Sequence, residues 1–113
     1  MHVSERLRDL HNAGFVHRDV KPGNIMFLLR RKVWTLIDFG CATRAGTDAA
    51  VSFSLHYAAP EVLQDLVDGR KATHVTPAVD AWALGIVALE LFLGKPLFEQ
   101  SGVQPVEDVR SCF

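Results

Sequence analysis

The string His17-Arg18-Asp19-Val20-Lys21-Pro22-Gly23-Asn24 is followed, one β-hairpin's length later, by Asp38-Phe39-Gly40. A carboxylate, an ammonium, an amide and a second carboxylate therefore stand at fixed intervals on loops. That is the equipment for moving a phosphoryl group off a magnesium nucleotide. Such a transfer passes through a loose transition state and asks little covalent chemistry of a protein. It asks for in-line positioning and for neutralisation of charge on the phosphate oxygens.

The elements that must hold these groups can be read from periodicity and punctuation. Val3, Leu7 and Leu10 recur at helical spacing among charged residues, which predicts an amphipathic helix that stops before Asn12-Ala13-Gly14. Phe15 to Asn24 reads as a loop. Ile25-Met26-Phe27-Leu28 and Val33-Trp34-Thr35-Leu36-Ile37 are short, apolar and β-prone, and the charged Arg30-Arg31-Lys32 separates them. They predict a two-stranded hairpin with the first motif before it and Asp38 after it. Cys41 to Ser54 is small and polar, so a mobile loop is expected. Pro60 suits the first turn of a short helix ending near Val67, and Asp68-Gly69-Arg70-Lys71 reads as a solvated connection. Thr76 is expected as the N-cap and Pro77 as the first residue of a helix reaching Leu93, apolar nearly all round and so buried on every side. Gly94 ends it, and the tail to Phe113 shows little periodicity. The fold class is α+β, mainly helical.

Composition narrows the function classes. At 113 residues the chain is one domain at most, or a piece of one. A net charge of −1 gives no electrostatic argument for nucleic acid or an anionic membrane. Apolar residues make up 49% of the chain, so it needs an extensive core or a partner surface. The longest apolar run, Ala81 to Leu93, contains Glu90 and falls short of the about twenty residues of a membrane span. Charged residues among the first ten leave no secretory apolar region there. Cys41 and Cys112 lack metal-ligand spacing, and the five histidines form no zinc constellation, so a reduced, intracellular and cytoplasmic setting is expected.

The two motifs together resemble those of eukaryotic-type protein kinases, and two further strings extend the resemblance. Tyr57-Ala58-Ala59-Pro60-Glu61 is similar to the segment that ends the kinase activation loop. Asp80-Ala81-Trp82-Ala83-Leu84-Gly85 is similar to the start of the central helix of the large lobe. The resemblance implies ATP and Mg²⁺ as cofactors and a protein substrate. It implies that Asp19 accepts the proton of the substrate hydroxyl, that Lys21 reaches the γ-phosphate, and that Asn24 and Asp38 ligate Mg²⁺. Lys21 followed by proline implies serine/threonine specificity. Ser54 takes the place of a residue that packs against Asp19 and Lys21, although Phe53 stands where glycine is common. Asp80 is expected to accept hydrogen bonds from the backbone of the catalytic loop, and His17, Phe39, Gly40 and Glu61 are structural members of the motifs. Arg18 is typical of kinases whose activation loop is ordered by phosphorylation, with Ser52, Thr47 and Thr43 as candidates, or with none of them modified. Cys41 is either a small buried residue or a redox-sensitive one near the nucleotide.

The resemblance covers about residues 1 to 100 and only the middle of a kinase domain. The sequence has no G-x-G-x-x-G loop, no Val-Ala-Ile-Lys strand and no adenine-binding hinge. Residues 1–113 are accordingly expected to be a partial protein kinase domain: helix, catalytic loop, hairpin, activation segment and central helix, without the small lobe and the last helices. Between Glu61 and Asp80 the chain is several residues longer than usual. Alone it is expected to be poorly packed, aggregation-prone and without measurable ATP affinity. The alternative is a non-catalytic, pseudokinase-like or truncated binding module. Nothing in the sequence fixes an oligomeric state.

Overall fold

The computed structural model describes residues 2–51 and 54–95. Ser52, Phe53, Cys112 and the tail beyond Lys95 lie outside the described residues. Helix α1 (His2–Asn12) buries Val3 and Leu7 on one face. Gly14, at φ +89°, turns the chain out of it in a conformation that a Cβ would strain.

Strands β1 (Phe15–Val16), β2 (Ile25–Leu28), β3 (Val33–Leu36), β4 (Thr43–Arg44), β5 (Asp48–Ala50) and β6 (Ala72–His74) form three two-stranded antiparallel sheets, β1 with β4, β2 with β3, and β5 with β6. The expected hairpin is β2–β3, with Ile25 opposite Leu36 and Phe27 opposite Trp34. The Phe27 and Trp34 rings meet at 5.2 Å on an exposed face. Ile37 falls just outside the ladder, which frees its backbone to bond the His17–Asn24 loop.

Two expected loops contain pairing. Val16 in the first pairs with Thr43, and the expected mobile loop from Cys41 to Ser54 carries β4 and β5. A short 3₁₀ turn, Pro22–Asn24, also sits within the first loop. β1 is only Phe15–Val16, and β4 and β5 are two or three residues of Thr, Arg, Asp and Ala, so no apolar alternation announces them. Their pairing rests on backbone groups that only the tertiary fold brings together.

Helix α2 (Pro60–Val67) has the expected bounds, with Pro60 in its first turn. Helix α3 (Ala78–Leu93) starts one residue later than expected and is capped by Pro77 rather than by the Thr76 side chain. The backbone supplies the start: the Thr76 carbonyl accepts from Val79 N–H, and the Pro77 carbonyl accepts from Asp80 and Ala81. Gly94, at φ +74°, closes the other end with its N–H on the Glu90 carbonyl at 2.8 Å.

Burial of α3 on every side is also corrected. Asp80, Ala83, Ile86, Val87 and Glu90 are buried, whereas Leu89, Leu91, Leu93 and Phe92 are exposed, Phe92 by 87%. The elements described cover one face of the helix only, and each uncovered large side chain forgoes roughly 1.5–3 kcal/mol of burial. The main core joins Val3 and Leu7 of α1, Val20 of the catalytic-type loop, Leu36 of β3 and Ala83 of α3. It lies directly beneath the His17–Asn24 loop, so packing of α1, β3 and α3 fixes the loop's position. Among the described residues no helix is long and apolar enough to cross a membrane.

Candidate active site

The loop that carries Asp19 is held from below by one carboxylate. Asp80, 1% exposed, accepts the His17 backbone N–H at 2.8 Å and the Arg18 backbone N–H at 2.9 Å. The His11 Nε2–H adds a third hydrogen bond at 2.8 Å. A carboxylate buried this deeply is stable only with such partners. Arg18 lies at φ +72°, a strained region for a side chain of this size, and the backbone bonds of His17 and of Arg18 itself to Asp80 hold the chain as it enters that conformation.

His17 is fully buried and ties the two motifs together. Its Nδ1 accepts the Asp19 N–H at 3.1 Å. The ring proton therefore sits on Nε2, which donates to the Ile37 carbonyl at 3.0 Å. The Ile37 N–H in turn donates to the Asn24 carbonyl at 2.9 Å. Both backbone groups of the residue before Asp38 are thus fixed against the first motif.

Four side chains converge on the loop. Asn24 Nδ2 donates to the Asp19 carbonyl and to Asp19 Oδ2, each at 2.8 Å. Ser54 Oγ donates to Asp19 Oδ1 at 3.2 Å and accepts from Lys21 Nζ at 3.2 Å. The Lys21 ammonium stands 3.8 Å from Asp19 Oδ1. Asp19, Asn24 and Ser54 are buried and Lys21 is half-buried, so the cluster is held in one arrangement.

Asp38 follows Ile37 into the open at φ +59°. Its Oδ1 accepts the Gly40 N–H at 3.2 Å, and a Cβ on Gly40 would crowd that same oxygen. Phe39 sets its ring edge-on to His17 at 5.2 Å. Among the described residues no cluster of three or more His, Cys, Asp and Glu forms a ready-made metal cage. The oxygen chemistry of Asn24 and Asp38 fits Mg²⁺, which takes one or two protein ligands and completes its shell with phosphate oxygens and water.

The Arg18 guanidinium turns away from this cluster. It donates to Thr43 Oγ1 at 3.1 Å and to the Ala50 carbonyl. Burial draws its pKa below the ordinary arginine value, against the raising field of Asp80. Glu61 is exposed in the first turn of α2, apart from the cluster. Ser52 lies outside the described residues.

Two contributors escaped sequence reasoning. His11 shows no signal beyond its place on the last turn of α1. Glu90, a lone acid in an apolar run, is 8% exposed, and its Oε1 accepts the Tyr57 hydroxyl at 2.7 Å. Its isolation in that run was the available signal, since a buried carboxyl needs a donor. Tyr57→Phe is expected to lower stability by about 1–3 kcal/mol, the cost of removing a hydrogen bond to a buried carboxyl. The shift in urea midpoint measures it.

The arrangement has counterparts in known proteins. The protein kinase domain family matches residues 1–112. The chain is 36% identical over 104 residues to human serine/threonine-protein kinase MRCK gamma, covering 87% of this chain and 6% of that protein. It is 41% identical over 106 residues to protein kinase gsk31 of Schizosaccharomyces pombe, covering 89% and 26%. To mouse serine/threonine-protein kinase Kist it is 40% identical over 100 residues, covering 84% and 24%. The chain thus spans about a quarter or less of the length of these relatives. With a family match along nearly its whole length, and with relatives that are serine/threonine kinases, the chain belongs to the eukaryotic-type protein kinases.

Proposed function

We propose that residues 1–113 are the catalytic segment of the large lobe of a serine/threonine protein kinase, and that within a complete kinase domain they serve transfer of the γ-phosphoryl group of ATP to hydroxyls of a protein substrate. The observation that carries this reading is the Asp19 carboxylate, held by Asn24 and Ser54 with the Lys21 ammonium 3.8 Å away. Asp19 orients the acceptor hydroxyl and takes its proton, general-base work that contributes typically about 10²–10⁴-fold. Lys21, adjacent to it, faces the transferring phosphoryl oxygens. Ser54 links the two, so that the base and the cation keep one relative position. Asn24 and Asp38 would hold Mg²⁺. The cation, when bound with ATP, supplies charge neutralisation across the phosphate oxygens. ATP use implies an intracellular, cytoplasmic setting.

The groups that would grip the rest of the nucleotide have no counterpart in this sequence. We therefore expect the isolated chain to show no ATP–Mg²⁺-dependent rise in melting temperature and no phosphoryl transfer. Grafted in place of the matching 106 residues of the Schizosaccharomyces pombe kinase, the chain is expected to restore labelling of serine and threonine in a generic basic protein. A soluble graft that binds ATP and labels nothing would defeat the enzymatic reading. The same result would favour a non-catalytic binding module, the reading that the exposed apolar face of α3 supports.

A further inference from the structure

We propose that the α2–α3 linker is a strand clamp that orders the activation segment without a phosphate, and that Arg18 closes the clamp on the Ala50 carbonyl. The inference rests on the reading of residues 41–61 as a kinase activation segment. The clamp is longer than its three-residue strands. Gly46 N–H donates to the Val75 carbonyl and Val75 N–H to the Thr47 carbonyl, each at 2.8 Å. Asp48, Ala49 and Ala50 then pair with His74, Thr73 and Ala72, and Val51 N–H reaches the Lys71 carbonyl at 3.1 Å. The ribbon therefore runs from Gly46 to Val51 on one side and from Lys71 to Val75 on the other.

A lone two-stranded ribbon is marginal in water, so the anchors decide whether it holds. They lie on the linker side. Thr73 and Val75 alternate inward and are 7% and 1% exposed. The Thr73 hydroxyl donates to Asp65 of α2. On the solvent face, Asp48 and His74 are register partners with Oδ1 and Nδ1 at 3.1 Å. The activation-segment side brings only Asp48, Ala49 and Ala50 as strand residues, with no large apolar side chain of its own. Its order is thus borrowed from α2 and the core through the linker.

Arg18 supplies the second tie. An arginine beside a catalytic aspartate is suited to a phosphate, which would order a loop by charge-assisted bonds. Here its guanidinium already meets two neutral oxygens, one on β4 (Thr43 Oγ1) and one on β5 (the Ala50 carbonyl). These bonds span the segment between the two strands. Strand pairing and Arg18 together do the ordering for which a phosphate is otherwise needed.

Hydrogen exchange of the kinase carrying the grafted chain tests this, with the β2–β3 hairpin as an internal reference. In phosphatase-treated wild type, the amides of Ala49 and Val51 are expected to exchange at least about tenfold more slowly than in a free peptide. Thr73→Pro removes a ladder N–H by the alternation of antiparallel pairs, and is expected to abolish that protection while the hairpin stays protected. The clamp is overturned if Ala49 and Val51 exchange at the free-peptide rate in unphosphorylated protein whose hairpin is protected. It is equally overturned if protection appears only once Thr43, Thr47 or Ser52 carries phosphate, or if it survives Thr73→Pro. Exchange reads the clamp whether or not the grafted chain transfers phosphate, so failure of the clamp and failure of the kinase reading give different results.

Discussion

In the kinase carrying the grafted chain, Asp80→Ala is expected to lower the unfolding free energy by about 3–5 kcal/mol, the range found when one partner of a buried charged network is removed. Asp80 is the acceptor for two backbone N–H groups and for His11 Nε2, at 2.8, 2.9 and 2.8 Å. Alanine leaves the His17 and Arg18 N–H groups facing a hole, and each stranded buried donor costs about 1–3 kcal/mol. Against a total stability of about 5–15 kcal/mol for a domain, this single change removes a large share. Asp80→Asn should fall between, since its carbonyl oxygen keeps one N–H while its NH₂ opposes the other. His11→Ala should cost less than either, because both backbone bonds remain. Urea midpoints at constant m-value give the order directly. An Asp80→Ala midpoint indistinguishable from wild type would show that the loop is held by something else.

The same residue shows what a sequence can and cannot disclose about this site. An aspartate opening a strongly apolar helix invites the question of its partners, and the motif around it supplies a candidate, the catalytic-type loop. Periodicity likewise exposes α1, whose Val3, Leu7 and Leu10 recur at helical spacing, while two short β-prone runs divided by Arg30-Arg31-Lys32 expose the hairpin and Pro60 marks the start of α2. The linker strands do not announce themselves. Thr73 and Val75 alternate inward over too few residues to be separated from a turn, and their partners, Asp48 to Ala50, carry no apolar signal. His11 is similar: its role depends on α1 and α3 meeting across sixty-nine residues of sequence separation. The outer face of α3 fails in the opposite direction. Its leucines and Phe92 state what the helix would bury, and the described elements cover only the opposite face.

The largest expected effect on activity lies at Asp19. In the grafted kinase, Asp19→Asn should lower kcat by about 10²–10⁴-fold, the usual contribution of a positioned general base, which is about 2.7–5.4 kcal/mol at about 1.36 kcal/mol per tenfold. The change is nearly isosteric and its neighbours can adapt. Turning the new amide oxygen toward Asn24 Nδ2 preserves that 2.8 Å bond, and the new NH₂ then meets Ser54 Oγ, whose hydroxyl can rotate to accept. Folding should be little affected, and the KM for ATP should stay within a few-fold, because Asn24, Lys21 and Asp38 are untouched. What disappears, on the proposed reading, is the carboxylate that receives the proton. Asp38→Asn provides the contrast: a weakened cation ligand should raise the Mg²⁺ concentration needed for half-maximal rate, a change that saturating Mg²⁺ partly reverses. A site in which Asp19→Asn instead raised KM with kcat intact would assign Asp19 to substrate binding, and the proton would then need another acceptor. Ser54→Ala completes the argument, because it removes the bridge between Lys21 and Asp19 while leaving both charges in place. If their fixed separation matters to the transfer, its loss should appear in kcat, smaller than that of Asp19→Asn and with no change in Mg²⁺ requirement.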